Sequence, residues 1–222
     1  LGVTLCGGHT EITSGLGRPI VVGQMLGLVE KPKLIRKESQ RPGDLILLTK
    51  GVALEGTAIL AREKPQALTR ELGAAVVSRA RRLLFKPGIS VVREAGIAVR
   101  QGGVHALHDP TEGGLLSGLY ELARAGRVGM RINKESIPIL PETRALAEIL
   151  GFDPLALIAS GALLVVVDRN RADRVLGAFA RHKIPAAAIG EVCRERQGLW
   201  LVEGGSGRPL RAPARDEIAR LL

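Results

Sequence analysis

Four short stretches of the 222-residue sequence hold side chains able to do chemistry, and three of them follow a strand-like run. The first is Gly7-Gly8-His9-Thr10-Glu11. Paired glycines let a backbone approach a ligand closely. Their N–H groups with the Thr10 hydroxyl suit a phosphate oxygen, and the Glu11 carboxylate suits Mg²⁺. The plainer reading is a strand-ending turn that exposes a histidine and a glutamate. The second is His108-Asp109-Pro110-Thr111-Glu112-Gly113-Gly114, placed between a strand and a helix. Glycines at a helix N-terminus present free N–H groups and the positive end of the dipole, which favours an anion. Simple capping by Asp109 or Thr111 explains part of this stretch without a ligand. It explains neither the paired glycines nor the histidine. The third is Thr49-Lys50-Gly51 with Glu55-Gly56-Thr57, where Lys50 can meet a phosphate charge. No GxxxxGK[ST] pattern is present, so this is not a P-loop, and a solvated lysine is an equal reading. The fourth is Ser160-Gly161, which lacks the GxSxG elbow of a hydrolase nucleophile.

The four histidines, His9, His105, His108 and His182, show neither HExxH nor metal-ligand spacing. His105 lies inside an apolar strand and reads as a satisfied core or edge histidine. Cys6 and Cys193 have no CxxC context, so neither a zinc knuckle nor a disulfide framework is expected. Free thiols suit a reducing cytoplasm.

These stretches need elements to position them. Leu1–Cys6 and Pro19–Val29 read as strands, separated by a polar turn, and Asp44–Thr49 as a short strand after a charged connector. Helical spacing then begins, over Leu54–Glu63, Pro65–Phe85 and Gly88–Gln101. Val104–Leu107 is a strand, Leu115–Ala125 a helix, Val128–Ile132 a strand, and Glu142–Leu150 a helix. Gly161–Val167 is a fully apolar strand, followed by a helix over Arg171–His182. Ala186–Val192 and Leu199–Val202 are the last strands, Gly204–Gly207 a loop, and Asp216–Leu222 a terminal helix. Continuous apolar strands alternating with amphipathic helices predict a sheet covered by helices, of α/β or α+β class. The chain opens with Leu in mid-pattern, on a strand with no earlier partner, so a fragment is expected.

Apolar residues make up 45% and charged residues 24%, which excludes a disordered chain. The apolar run Leu155–Val167 lies between Asp153 and Asp168 and is too short to span a bilayer, so it reads as core. No Lys/Arg-led apolar stretch opens the chain, and no signal peptide is expected. The formal charge of +10 comes mostly from scattered arginines. With one Trp, one Tyr and three Phe there is little to stack on bases, which argues against nucleic-acid binding. Few Asn, Met and Cys suit a thermophile, and high-GC coding gives the same Arg-rich look.

Taken together, GGHTEIT (7–13), PIVVGQMLG (19–27), GDLILLTKG (43–51), EGTAIL (55–60), HALHDPTEGGL (105–115) and the stretch 137–167 resemble the aminoimidazole-ribonucleotide (AIR) synthetase superfamily. Within it the likeness is to the HypE-like, hydrogenase-maturation branch. The resemblance implies residues 1–50 as the last strands of a β-rich, ATP-binding N-terminal domain that dimerises. It implies residues 51–222 as a C-terminal domain built on a helix-covered mixed sheet. It also implies ATP and Mg²⁺ in the cleft between them, and activation of an amide- or carbamoyl-type oxygen by phosphorylation. His9 and Asp109 become the catalytic candidates. Gly7, Gly8, Thr10, Lys50, Thr111, Gly113 and Gly114 become cofactor-binding candidates, and Glu11 the metal ligand.

The sequence also departs from that pattern. The acidic Mg²⁺–ATP motif of the family is not among these residues. The hydrogenase maturation factor works through a cysteine at its extreme C-terminus, whereas this sequence ends Ile218-Ala-Arg-Leu-Leu222 with Cys193 the nearest thiol, so that chemistry is not expected. Three readings follow. The first is an ATP-dependent synthetase or dehydratase acting as a homodimer on a small or carbamoyl-type substrate, with no membrane or nucleic-acid partner. The second is a nucleotide-binding scaffold without turnover. The third, a nucleic-acid module, is prompted by charge alone.

Overall fold

The computed structural model describes residues 2–222. The chain divides into two compact units, Leu1–Leu34 and Ile35–Leu222.

Residues 2–30 form no strand, and among the described residues of the first unit the one helical element is a 3₁₀ turn at Lys31–Lys33. The strands expected over 1–6 and 19–29 are therefore absent from residues 2–29. Leu5, Ile12, Val21, Val22, Leu26 and Leu28 are almost fully exposed. The apolar runs are present, but a strand exists only when its N–H and C=O groups find a ladder partner. No partner strand is present among the described residues of that unit.

The second unit carries a seven-stranded mixed sheet. Its strands are β1 (Leu45–Thr49), β2 (Val104–His108), β3 (Val128–Asn133), β4 (Leu164–Val167), β5 (Ala186–Arg194), β6 (Leu199–Glu203) and β7 (Ser206–Pro209). Their order is β2-β4-β1-β5-β3-β6-β7. Every pairing is antiparallel except β3 with β6. β1 lies inside this sheet, so the compact unit takes in residues 35–50, which the expected boundary near residue 50 assigned to the preceding piece.

The eight helices are α1 (Leu54–Glu63), α2 (Pro65–Leu72), α3 (Ala74–Arg82), α4 (Val92–Gln101), α5 (Gly114–Gly126), α6 (Pro141–Leu150), α7 (Arg169–Arg181) and α8 (Ile218–Leu221). They cover the sheet unequally. On one face Ile46, Leu48, Met130, Ile132, Leu164, Val166, Ile189 and Leu201 join side chains of α1, α2, α3, α5 and α6 in the main core. On the other face Leu47, Val165 and Val167 meet Ile97 and Ala98 of α4 and Val175, Ala178 and Phe179 of α7. Both faces of β4 are thus buried, which is why its sequence LVVV is apolar without alternation. Each large aliphatic side chain buried this way contributes about 1.5–3 kcal/mol.

Three differences from the expected elements have local causes. The helix expected over 65–85 breaks into α2 and α3 at Gly73, whose φ of 81° no helix interior accepts. A π-type turn with Pro87 inside then ends the run. The loop expected at 204–207 is instead a hairpin. Gly204 and Gly205 (φ 55° and 82°) form its two-residue turn, and Glu203 pairs with Ser206. The apolar run after Gly161 becomes a strand only at Leu164. Among the described residues no helix is long and apolar enough to cross a membrane.

Lys50, at the end of β1, turns inward with a φ of 59°. Its ammonium lies 2.9 Å from Glu94 Oε1 and donates to the carbonyls of Gly88 (3.0 Å) and Ser90 (2.8 Å). Both side chains are almost completely buried. All three ammonium donors are used within the fold, so Lys50 in this position ties the 84–91 turn to β1 and has none left for a phosphate. Breaking such a pair from one side strands a buried charge. Lys50→Met is expected to cost about 3–5 kcal/mol in urea unfolding, and Lys50→Met with Glu94→Leu to recover most of that loss.

Candidate functional site

The direction of the strands gathers the chemistry-bearing loops at one end of the sheet. β1 and β2 end where β4 begins, since Leu48 and His108 both pair with Leu164. The turn after β1, the loop 109–113 after β2 and the loop 155–163 before β4 are therefore neighbours. Hydrogen bonds stitch them together. Gly56 N–H donates to the Ile158 carbonyl (3.3 Å), Ala159 N–H to Thr111 (3.2 Å) and Leu116 N–H to Leu155 (3.1 Å). The Thr49 hydroxyl accepts from Leu163 N–H at 3.0 Å. Gly114 has to be glycine here: its φ is 63°, and a Cβ would lie 2.5 Å from the Leu155 carbonyl oxygen.

The start of α5 does attract an anion, and the chain supplies it. One oxygen of the Asp216 carboxylate accepts from Gly113 N–H at 2.6 Å. The other accepts from Ile218 N–H at 2.7 Å and Ile158 N–H at 3.2 Å. The capping expected from Asp109 or Thr111 thus comes from a residue about a hundred positions downstream. Gly113, in the N-cap position, has no side chain of its own to cap with. Gly114 N–H is used by the Thr111 carbonyl at 3.0 Å. The side chains of Asp109, Thr111 and Glu112 remain exposed at the rim.

Behind this loop, His108 is held from both sides. Lys37 Nζ lies 2.9 Å from Nδ1, and Glu121 Oε2 lies 2.8 Å from Nε2. An ammonium only donates, so Nδ1 accepts and the ring proton sits on Nε2, facing the carboxylate. Burial and then the Lys37 charge push the His108 pKa below its ordinary value, and Glu121 offsets this in part. His105, three residues earlier on the same edge strand, meets Asp44 Oδ2 through Nδ1 at 2.8 Å. Asp44 also accepts from Arg41 N–H. His105 is the satisfied edge histidine that its place in an apolar strand implies.

His9, Thr10 and Glu11 belong to the first unit. They are exposed, and with Ile12, Thr13, Leu16 and residues 18–22 they border a hollow of about 470 Å³. His9 Nε2 lies 3.5 Å from Glu11 Oε2. Gly7 and Gly8 are exposed as well. Among the described residues, no cluster of three or more His, Cys, Asp or Glu forms a metal site. Glu11 offers a single carboxylate, which suits Mg²⁺ held mainly by water and nucleotide phosphates.

The sequence reading did not single out Asp216, Lys37, Glu121 or Asp44. Nothing local marks them, because each acts across the fold on a residue far away in the chain. Cys193 is buried, and burial followed by the Glu191 charge raises its pKa.

Residues 41–200 match the model of the AIR synthase related protein, C-terminal domain. The chain is 28% identical to a putative hydrogenase expression/formation protein of Methanocaldococcus jannaschii, over 99% of this chain and 63% of that protein. It is 32% identical to the carbamoyl dehydratase HypE of Rhizobium leguminosarum, over 86% of this chain and 53% of that one. The crystal structure of HypE from Escherichia coli superposes with a TM-score of 0.68 at 29% identity, covering 85% of this chain and 55% of that one. A HypE solved in complex with ATP superposes with a TM-score of 0.61 at 24% identity, over 83% of this chain and 55% of that one, a likeness of fold. The chain thus spans between half and two thirds of the length of these relatives.

The Asp216 clamp and the neutral His108 give two expectations. Asp216→Ala removes the acceptor of three N–H groups. It should cost about 1–3 kcal/mol in chemical unfolding and speed amide exchange at Gly113 and Ile158. His108 resists protonation when folded, whereas the unfolded ring takes up a proton near 6.5. Stability should therefore fall as pH drops below about 6.5. Denaturant titrations at pH 7.5 and pH 5.5 check this, and His108→Gln should lose that part of the pH dependence.

Proposed function

Because this chain belongs to the family of AIR-synthase-related proteins, whose C-terminal domain spans residues 41–200, we propose that it forms the C-terminal portion of an ATP-dependent enzyme. That enzyme activates an amide- or carbamoyl-type oxygen by phosphorylation, in a hydrogenase-maturation-like role. The observation that carries the reading is the match of residues 41–200 to the C-terminal domain of that family. At the loop end of the sheet the side chains of Asp109 and Thr111 are exposed and available to a ligand, whereas the Gly113 and Gly114 N–H groups are held by Asp216 and the Thr111 carbonyl. The carbamoyl dehydratase activity named for the relative from R. leguminosarum fits this chemistry, as does the ATP held by the HypE solved in complex with it.

In this reading residues up to 34 are a remnant of the N-terminal ATP-binding domain, whose dimerisation would complete the protein. Gly7, Gly8 and Thr10 contact nucleotide phosphates, Glu11 takes Mg²⁺, and His9 and Asp109 hold or move protons at the reacting group. Gly113, Gly114 and Thr111 belong to the loop at the start of α5, whose backbone they shape. ATP supplies the phosphoryl group that turns a poor oxygen leaving group into a good one. Cys193 does not supply a nucleophilic thiolate, since it is buried and its pKa is raised.

The test is Mg²⁺–ATP binding by calorimetry on the natural-length protein, followed by phosphate release with carbamoyl-type substrates. Saturable binding that weakens about tenfold or more in Glu11→Ala and in Asp109→Ala is expected. No binding at about millimolar nucleotide would remove the ATP-enzyme reading. Binding without any phosphate release would leave a nucleotide-binding scaffold.

A further inference from the structure

Helices α4 and α7 cover one face of the sheet over β2, β4 and β1, but that cover stops at β5. On the same face, no side chain of β3, β6 or β7 joins the cluster under those helices. The register places one row of side chains across the strands. Leu45 pairs with Glu191, Glu191 with Arg131, Arg131 with Trp200, and Trp200 with Pro209. Arg131 and Trp200 are exposed, although strand β3 is paired on both sides.

The charges in this row are unequally satisfied. Glu191 is bound by Arg169 at 2.7 Å. Among the described residues Arg131 makes no ion pair and no side-chain hydrogen bond. Its neighbour is the sole tryptophan of the chain. The Trp200 indole N–H is held by the Gln197 carbonyl at 2.7 Å, which fixes the ring. Across from the ring β7 offers Gly207, where a Cβ would stand 3.5 Å from Cε3, so no side chain covers it there.

Two hollows of about 460 Å³ each adjoin at Arg131 and Val202. The first runs toward Asn133, Glu135 and Gly205, and the second takes in Trp200 and Gln197. Each falls within the about 300–1,000 Å³ of small-molecule sites. A guanidinium without a protein partner, in a hollow beside a fixed indole face, matches a ligand with an anionic head and a flat body.

We propose that this trough binds a small anion carried on a planar ring, an aryl or heteroaryl phosphate or carboxylate. Arg131 grips the anion in a bidentate pair and Trp200 stacks the ring. The site lies on that sheet face and uses none of the residues assigned above to ATP or Mg²⁺.

The single indole N–H gives one resonance in a ¹H–¹⁵N spectrum, so it reports the site directly. Phenyl phosphate and benzoate are the probes, and the stronger of the two identifies the anion. A saturable indole shift is expected below about 10 mM. Inorganic phosphate and benzyl alcohol, which carry only the charge or only the ring, should bind at least about tenfold more weakly. Arg131→Gln should weaken binding by at least about tenfold, and Trp200→Leu should weaken it by calorimetry, with thermal unfolding showing both variants folded. Three results would overturn the proposal. One is no saturable shift, and another an unchanged titration in Arg131→Gln. The third is an indole shift driven by protein concentration alone, which would mean that a second copy covers this face.

Discussion

The Gly113 N–H at the start of α5 needs an acceptor, and the way it finds one organises the loop end of the fold. Asp216 reaches it from the far end of the chain and also takes Ile158 N–H. One carboxylate therefore joins the loop after β2, the loop before β4 and the C-terminal segment. Other contacts follow from that clamp. Leu210 is buried, Ile218 and Leu221 pack on the main core, and Arg220 donates to the Gly151 carbonyl. The glycines in this region have no room for side chains because three loops converge on one small volume. With the carboxylate in place the seat is filled, and it closes the fold.

The sheet imposes a second constraint. Antiparallel strands can face water on one side, whereas a strand buried on both faces must be apolar throughout. β4 and β1 lie under helices on both sides, and β4 carries the unbroken run LVVV. β3 and β6 have helices on one side only. Met130 and Ile132 point into the core, and Arg131 between them points away, an alternation of period two. The same rule that makes β4 uniformly apolar thus leaves an arginine and a tryptophan side by side on the open half of the sheet.

Charge in this protein is used inward as well as outward. A lysine and a glutamate are buried together under the 84–91 turn, and His108 is kept neutral between a lysine and a carboxylate. Both arrangements hold because the facing charged and polar groups meet within about 3 Å, which is the condition under which buried polar groups are tolerated. They fix loops at the end of the sheet, so they contribute to position even where they touch no ligand.

Much of this was legible in the residues. The apolar runs and helical spacings marked six of the seven sheet strands and the principal helices, because period and burial are local properties of a sequence. The motif combination from GGHTEIT to the apolar strand before Asp168 pointed to the family and to a helix-covered mixed sheet, and the match over residues 41–200 agrees. The turn Gly204-Gly205 was there to be read as a hairpin, since two adjacent glycines between short apolar runs suit a turn with both φ positive. Tertiary structure alone decided the rest. Pro19–Val29 has a strand's pattern and no strand's pairing, since pairing needs a partner that a local pattern cannot supply. Lys50 faces Glu94 because the fold brings together residues far apart in the chain. The acceptor for the α5 N-terminus is Asp216 and not the adjacent Asp109 or Thr111. A sequence shows which groups need a partner; only the packed chain determines which partner is within reach.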